Sequence, residues 1–284
     1  EHNAVARTLH KVSKEKKIKI SLLPVDAKSL EIDLEKTKYV FSQDKPYAVF
    51  CTHVSNVTGY VLPIQEIFEE AKKHGAVTIL DSAQSLGLID VDARVIGADI
   101  IAFAGHKTLY GPFGIGGFIN VTGIKLAEFI TGGTGSDSLN LEMPEGNEAK
   151  YEASSCNVVA IAGLNAAIKD LNVEENLQHE RVLTDYLINS LSTNRNIKMF
   201  LPNDRTKHVG IVSFVYEGMN SNDVGTILDE DFDIAVRTGY HCAPYIHDYL
   251  KDKATLGTIR VGLGRFSTRE DIDALTKALE EIDE

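Results

Sequence analysis

The sequence predicts an α/β fold: a mostly parallel, helix-flanked sheet in the first part of the chain and a smaller α+β region in the last part. Three observations carry this reading. Residues 48–54, 77–80 and 100–104 are short, near-continuous apolar runs, the pattern of strands buried on both faces. Residues 63–75, between the first two runs, have the helical period that a parallel crossover requires. Beyond residue 172 the regular alternation gives way to a mixed pattern, so the predicted division is a large region over 1–172 and a small one over 173–284.

The elements follow in order. Ala48-Val49-Phe50-Cys51-Thr52-His53-Val54 reads as a buried strand. In the helix over 63–75, Pro63 suits the first turn, Ile64, Ile67, Phe68 and Ala71 share one face, and Gly75 suits the end. The next strand, 77–80, ends in Asp81. The strand over 100–104 runs into Gly105-His106-Lys107, and 114–119 forms one more short strand. Residues 131–146, rich in Gly and Ser, read as a loop, and 158–171 as a helix dense in small apolar residues. Then come a strand over 208–216, a helix over 221–228 and strands over 234–236 and 257–261. Ser267-Thr268-Arg269-Glu270 opens a terminal helix with a capping-box pattern. There is no internal repeat, heptad pattern or low-complexity tract.

With 284 residues, 43% of them hydrophobic and 25% charged, the chain has the composition of a globular protein with a sizeable core. A formal net charge of −12 argues against nucleic acid and against anionic membranes as partners. No apolar run is long enough to span a bilayer. The opening Glu1-His2-Asn3-Ala4 lacks the basic start and apolar core of a signal peptide. Three cysteines, an odd and small number, fit a reducing cytoplasm better than a disulfide framework. The absence of an initiator methionine points to a processed protein or a piece of a longer one.

The most informative pair is Asp81 and Lys107, an acid and an amine at the carboxyl ends of two predicted parallel strands, where such sheets bind ligands. Together they point to a pyridoxal 5'-phosphate site, in which a lysine forms a Schiff base with the aldehyde and an aspartate pairs with the pyridinium nitrogen. Each alone reads as well as a solvated lysine and a turn-capping aspartate. Gln84, one turn past Asp81, is a donor for the ring's phenolic oxygen or an ordinary exposed amide. His106 either contacts a phosphate or holds the strand–loop junction through a backbone bond.

A second motif is Arg237-Thr238-Gly239-Tyr240-His241-Cys242-Ala243-Pro244. It places Cys242 on a loop beside Arg237 and His241, neighbours of the kind that favour a nucleophilic thiolate. Cys51, inside an apolar strand, reads instead as a core filler. Arg260 interrupts an apolar strand and needs an anion, either a substrate carboxylate or an internal Asp or Glu. Gly114-Ile115-Gly116-Gly117 leads into a strand and is no dinucleotide fingerprint. His241, Cys242 and His247 lack a second pair at metal spacing, so no metal is expected.

These motifs resemble the pyridoxal-phosphate-dependent cysteine desulfurases of aminotransferase class V over essentially the whole chain. The carrying stretches are Thr-His-Val-Ser-Asn-Val-Thr-Gly at 52–59, Asp-Ser-Ala-Gln at 81–84, Gly-His-Lys-Thr-Leu-Tyr-Gly-Pro at 105–112 and the Arg237–Pro244 motif. The Arg-x-Gly-x-His-Cys form resembles the group of SUF-type desulfurases and selenocysteine lyases. The resemblance implies the PLP-transferase fold type I and conversion of L-cysteine to L-alanine, with a persulfide left on Cys242 for a sulfur-acceptor protein. Selenocysteine lyase, or a cofactor-free fragment acting only as scaffold or sulfur-acceptor-binding module, is the alternative. By residue, it implies Lys107 as the Schiff-base lysine, Asp81 at the pyridinium, and Gln84 and Asn56 near the phenolic oxygen. His106 falls at the phosphate, His2 is stacked on the ring, and Arg237 and Arg260 lie on the substrate carboxylate. Ser155, in Glu152-Ala153-Ser154-Ser155-Cys156-Asn157, matches a position that reaches the phosphate of a partner subunit, which implies a homodimer. The pattern departs in three places. Ala104 stands where relatives often carry a phosphate-binding serine, Ser154-Ser155-Cys156 replaces Gly-Thr-Pro, and the family's N-terminal portion, with its phosphate-cradling helix start, has no counterpart.

Overall fold

The computed structural model describes residues 1–145 and 148–282 and contains two four-stranded sheets. Helices α1 (Asn3–Lys16) and α2 (Leu34–Asp44) precede β1 (Ala48–Thr52), α3 (Ile64–Lys73), β2 (Val77–Asp81), α4 (Ala93–Ile96), β3 (Ile100–Ala104) and β4 (Gly116–Asn120). Helices α5 (Val158–Asp170) and α6 (Val173–Leu191) lead to β5 (Ile197–Phe200), β6 (Ile211–Tyr216), α7 (Ser221–Phe232), β7 (Arg237–Gly239), α8 (His247–Leu250), β8 (Thr258–Gly262) and α9 (Arg269–Glu281).

The first sheet has the order β1-β2-β3-β4, with β1, β2 and β3 parallel and β4 antiparallel to β3. Helix α3 makes the crossover between β1 and β2. It buries Ile64, Ile67, Phe68 and Ala71, the stripe read from its spacing, against Val49, Leu80 and Ile101. The register sets Thr52 level with Asp81, and Asp81 level with Ala102. The carboxyl ends of the three parallel strands therefore form one rim, and the Gly105-His106-Lys107 turn leaves from it.

The second sheet, β5-β6-β8-β7, is antiparallel throughout. Its core is formed by Val212, Phe214 and Ile259 from the strands, with Leu187 and Leu191 of α6, Leu228 of α7 and Leu275 and Leu279 of α9.

Several expectations need correction. The strand expected at 234–236 is not there: Ile234 and Val236 pack on the core outside any regular element, and the ladder to β8 is formed by Arg237, Thr238 and Gly239. Side-chain burial and backbone pairing have separated by three residues. The capping box is one residue later than the pattern chosen, between Thr268 and Asp271, with each side chain bonded to the other's amide. Strand β6 begins at Ile211, not at 208, and helix α7 runs on to Phe232. Helices α1, α2 and α6 were not anticipated. The predicted loop forms no regular element until the short turn at Glu148–Lys150, and its last residue, Gly146, lies outside the described residues. Among the described residues no helix is long and apolar enough to cross a membrane.

Candidate functional site

A cavity of about 1220 Å³ opens at the rim of the first sheet and extends to the second. Asp81, Gln84, His106 and Lys107 line it from β2, β3 and the turns after them; His2 comes from the start of α1, and Asn56 follows β1. Arg237 and Arg260 reach it from the second sheet. Eight of the ten predicted site residues thus share one cavity wall. The other two, Cys242 and Ser155, do not line it.

Lys107 is half-buried, and its amine has no hydrogen-bond or ion-pair partner among the described residues. Burial holds its pKa below the usual lysine range. The charge of Asp81 works against that, while Arg260 and Arg237 add to it. Both conditions suit an amine that must lose a proton to react with a carbonyl. The Asp81 carboxylate accepts from the Ala83 amide at 3.0 Å, so it caps its turn as well as facing the cavity. His2 is the N-cap of α1, its Nδ1 accepting from the Ala4 amide at 3.1 Å, and burial lowers its pKa, with Lys107 next in effect. The His106 ring stacks on Phe113 at 5.1 Å between centroids.

The arginine pair is set by register. Arg237 and Arg260 are directly opposite in the β7–β8 ladder. Like charges placed so repel, and neither has a carboxylate within ion-pair distance among the described residues. The Arg260 guanidinium donates to the Asn56 carbonyl at 2.8 Å, and burial, then Arg237, brings its pKa down to about 10. The internal ion pair considered for Arg260 is therefore absent from the described residues, and two cations face the cavity with no protein anion between them.

Cys242 follows β7 in a turn. Its Sγ accepts from the Arg237 guanidinium at 3.0 Å and lines an adjoining open groove of about 880 Å³, with Arg237 common to both walls. His241 does not act on this sulfur as the sequence reading had it. Its ring is buried, 2% exposed, with Nε2 on Thr258 Oγ1 at 2.7 Å, and burial, then Arg260, pushes its pKa to about 3. A neutral ring bonded to the neighbouring strand supplies no charge to Cys242. Cys51 is buried, and burial raises its thiol pKa well above normal. Ser155 is exposed, two residues before Asn157, the N-cap of α5.

The sequence reading passed over Glu180. It is 3% exposed, lines the cavity from α6, accepts from the Gly210 amide, and has its pKa raised to about 7 by burial. The available signal was an acidic residue in the stripe Asn176, Glu180, Leu183, Leu187 of an amphipathic helix. Among the described residues no group of three His, Cys, Asp or Glu side chains is placed to hold a metal ion. The site thus combines a half-buried amine, an acid and an amide at and just past one strand end, and two guanidiniums with no carboxylate at ion-pair distance among the described residues. That chemistry fits an aldehyde cofactor with a basic ring nitrogen and a carboxylate substrate.

Residues 1–275 match the aminotransferase class-V family. A probable cysteine desulfurase of Halalkalibacterium halodurans is 36% identical over 261 residues, covering 89% of this chain and 61% of that protein. Another, of Pyrococcus abyssi, is 31% identical, covering 99% of this chain and 70% of that protein. The apo structure of the cysteine desulfurase of Thermococcus onnurineus NA1 superposes with a TM-score of 0.84 at 25% identity, covering 99% of this chain and 70% of that one. For CsdA of Escherichia coli in its S-sulfonic acid form the TM-score is 0.81 at 25% identity, covering 99% of this chain and 69% of that one. The first two curated relatives are matched over 61% and 60% of their length, so the chain spans about three fifths of them. The chain belongs to the aminotransferase class-V family, and its fold is that of the pyridoxal-phosphate enzymes of fold type I.

Proposed function

We propose that this member of the aminotransferase class-V family carries the active site of a cysteine desulfurase, which takes sulfur from L-cysteine, releases L-alanine and holds the sulfur on Cys242. The observation that carries it is the half-buried Lys107 amine, without a partner among the described residues, sharing a cavity with Asp81 and an arginine pair that has no counter-ion among those residues. The cysteine desulfurases among its relatives support the same reading.

Pyridoxal phosphate, when bound, supplies an electron sink for charge developing at the amino acid's α-carbon. Asp81 would keep the ring nitrogen protonated, Gln84 and Asn56 would face the phenolic oxygen, and His2 would cover the ring. His106 would bind the phosphate, as in the resemblance; the Thr108 hydroxyl already donates to the Leu86 carbonyl, and position 104 is alanine. Arg237 and Arg260 bind the substrate carboxylate between them. Lys107 takes the α-proton and returns it to carbon. The Cys242 thiolate attacks the substrate sulfur, an S–S bond forms as the Cβ–S bond breaks, and the electron pair leaves with the carbon fragment, which is protonated to alanine. A thiolate of the acceptor protein then attacks the outer sulfur, forming the new S–S bond as the Cys242 thiolate leaves.

The active assembly is a homodimer in this reading. Exposed Val158, Val159 and Ile161 give the start of α5 an apolar face beside exposed Ser155, the residue assigned to the partner's phosphate. The division between a large and a small domain falls near residue 172, between α5 and α6. A reducing compartment, the cytoplasm, suits three cysteines that form no disulfide.

The test is Cys242→Ser in the protein loaded with pyridoxal phosphate. The variant should keep the visible absorption of the bound cofactor and lose release of sulfide and alanine from cysteine. Turnover at the normal rate would remove the covalent step.

A further inference from the structure

The turn that presents Cys242 has an uncommon backbone. His241 and Cys242 both have positive φ, +46° and +57°, and the Ala243 amide donates to the Tyr240 carbonyl at 3.0 Å. Two consecutive left-handed residues closed by that bond make a type I′ turn, a conformation that favours Gly, Asn and Asp. Histidine and cysteine adopt it at a steric cost, and such strain persists where the surroundings over-determine it.

Here the surroundings take hold of the carbonyls of the turn's first three residues. His247 Nε2 donates to the Tyr240 carbonyl at 2.9 Å, Asn56 Nδ2 to that of His241 at 2.7 Å, and the Asn3 amide to that of Cys242 at 2.6 Å. These donors come from α8, from the loop after β1 and from the start of α1. The first is itself fixed. His247 is 3% exposed, and its Nδ1 lies 2.6 Å from Oδ2 of Asp252, also 3% exposed. Both ring nitrogens thus face hydrogen-bonding oxygens, one on the acid and one on the turn.

We propose that the buried His247–Asp252 pair is a positioning device for Cys242: it pins the Tyr240 carbonyl, holds the strained turn, and so keeps the thiol on the Arg237 guanidinium, in the groove that adjoins the cavity. A pair serving packing alone would not need its outward nitrogen on the turn's first carbonyl. This inference rests on Cys242 as the working thiol, but its test reads the geometry of the thiol and not turnover, so the two fail separately.

The protein is alkylated with iodoacetamide at fixed pH, and the rate is read cysteine by cysteine by peptide mass spectrometry. Cys156, exposed, serves as the reference; Cys51, buried, reports unfolding. A cation touching the sulfur stabilises its charged, reactive form, so Arg237→Gln should slow Cys242 about tenfold. His247→Gln should slow it by a similar factor, with Cys156 unchanged and Cys51 still protected. Asp252→Asn, whose amide oxygen can still accept from the ring, should restore most of the rate that Asp252→Ser loses. In the Arg237→Gln background His247→Gln should add nothing, because it acts through the same contact.

An unchanged Cys242 rate in His247→Gln would overturn the proposal, as would multiplication of the two effects in the double variant. If His247→Gln exposes Cys51, Asp252→Ser, which frees the ring without removing it, takes its place under the same criteria.

Discussion

In the first sheet Asp81 and Lys107 belong to the carboxyl ends of neighbouring parallel strands, whereas in the second Arg237 and Arg260 face each other in an antiparallel ladder and Cys242 sits in the turn beyond it. Parallel strand ends converge on one rim, so two groups that each terminate a strand meet whatever their side chains do elsewhere. An antiparallel ladder brings together only the residues its register pairs, and a one-residue slip would send one guanidinium to the other face. The first half of the site is thus secured by topology and the second by register and turn geometry.

Four experiments sharpen or break that contrast. Lys107→Ala has the largest expected effect. The protein with added pyridoxal phosphate should show a visible band that the variant lacks entirely, and an equal band in both would take the amine away from this lysine. Arg260→Met comes next and separates function from folding. Removing one of two opposed cations should leave stability unchanged or raise it by about 1 kcal/mol. The cysteine concentration for half-maximal rate should rise on the order of 100-fold, the loss of a charged bidentate contact. A large fall in unfolding free energy would show instead that Arg260 is a structural group.

Glu180 links the two halves, and its effect is smaller. Its folded pKa of about 7 lies above that of an exposed glutamate, so the native state holds a proton that the unfolded state gives up. Stability from this group is complete below the unfolded pKa and is lost as pH rises through about 7, on the order of 3 kcal/mol in all. Urea unfolding at several pH values should show that slope in the native protein and a flatter one in Glu180→Gln; parallel curves would mean that the carboxyl is not protonated by burial. The smallest effect is Thr268→Ala, which removes half of the α9 capping box. It should cost about 1 kcal/mol and leave the cofactor band intact.

The first sheet was legible because its signals are local. Apolar runs marked β1, β2 and β3, a one-sided stripe marked α3, and Asp81 and Lys107 stood where those runs stopped. Helix α6 offered signals as plain, with Asn172 capping the Glu175 amide and Leu183, Leu187 and Leu191 on one face, and these were passed over. Strand β7 misled because Ile234 and Val236 bury side chains without pairing, while the more polar Arg237–Gly239 supplies the ladder.

What the sequence determined alone was whatever periodicity and chain ends encode: the α/β class, the strands of the first sheet, the amine and acid on one rim, and the arginine that interrupts an apolar strand. Tertiary structure decided the rest, because it depends on which residues a register sets opposite and on which way a backbone turns. It paired Arg260 with Arg237 instead of with a carboxylate. It turned the His241 ring into Thr258, away from its neighbour's sulfur. It also brought Asn3, Asn56 and His247, far apart in the chain, onto three consecutive carbonyls of the Cys242 turn. Adjacency in sequence gives a side chain's reach, and dihedral angles and register give its direction.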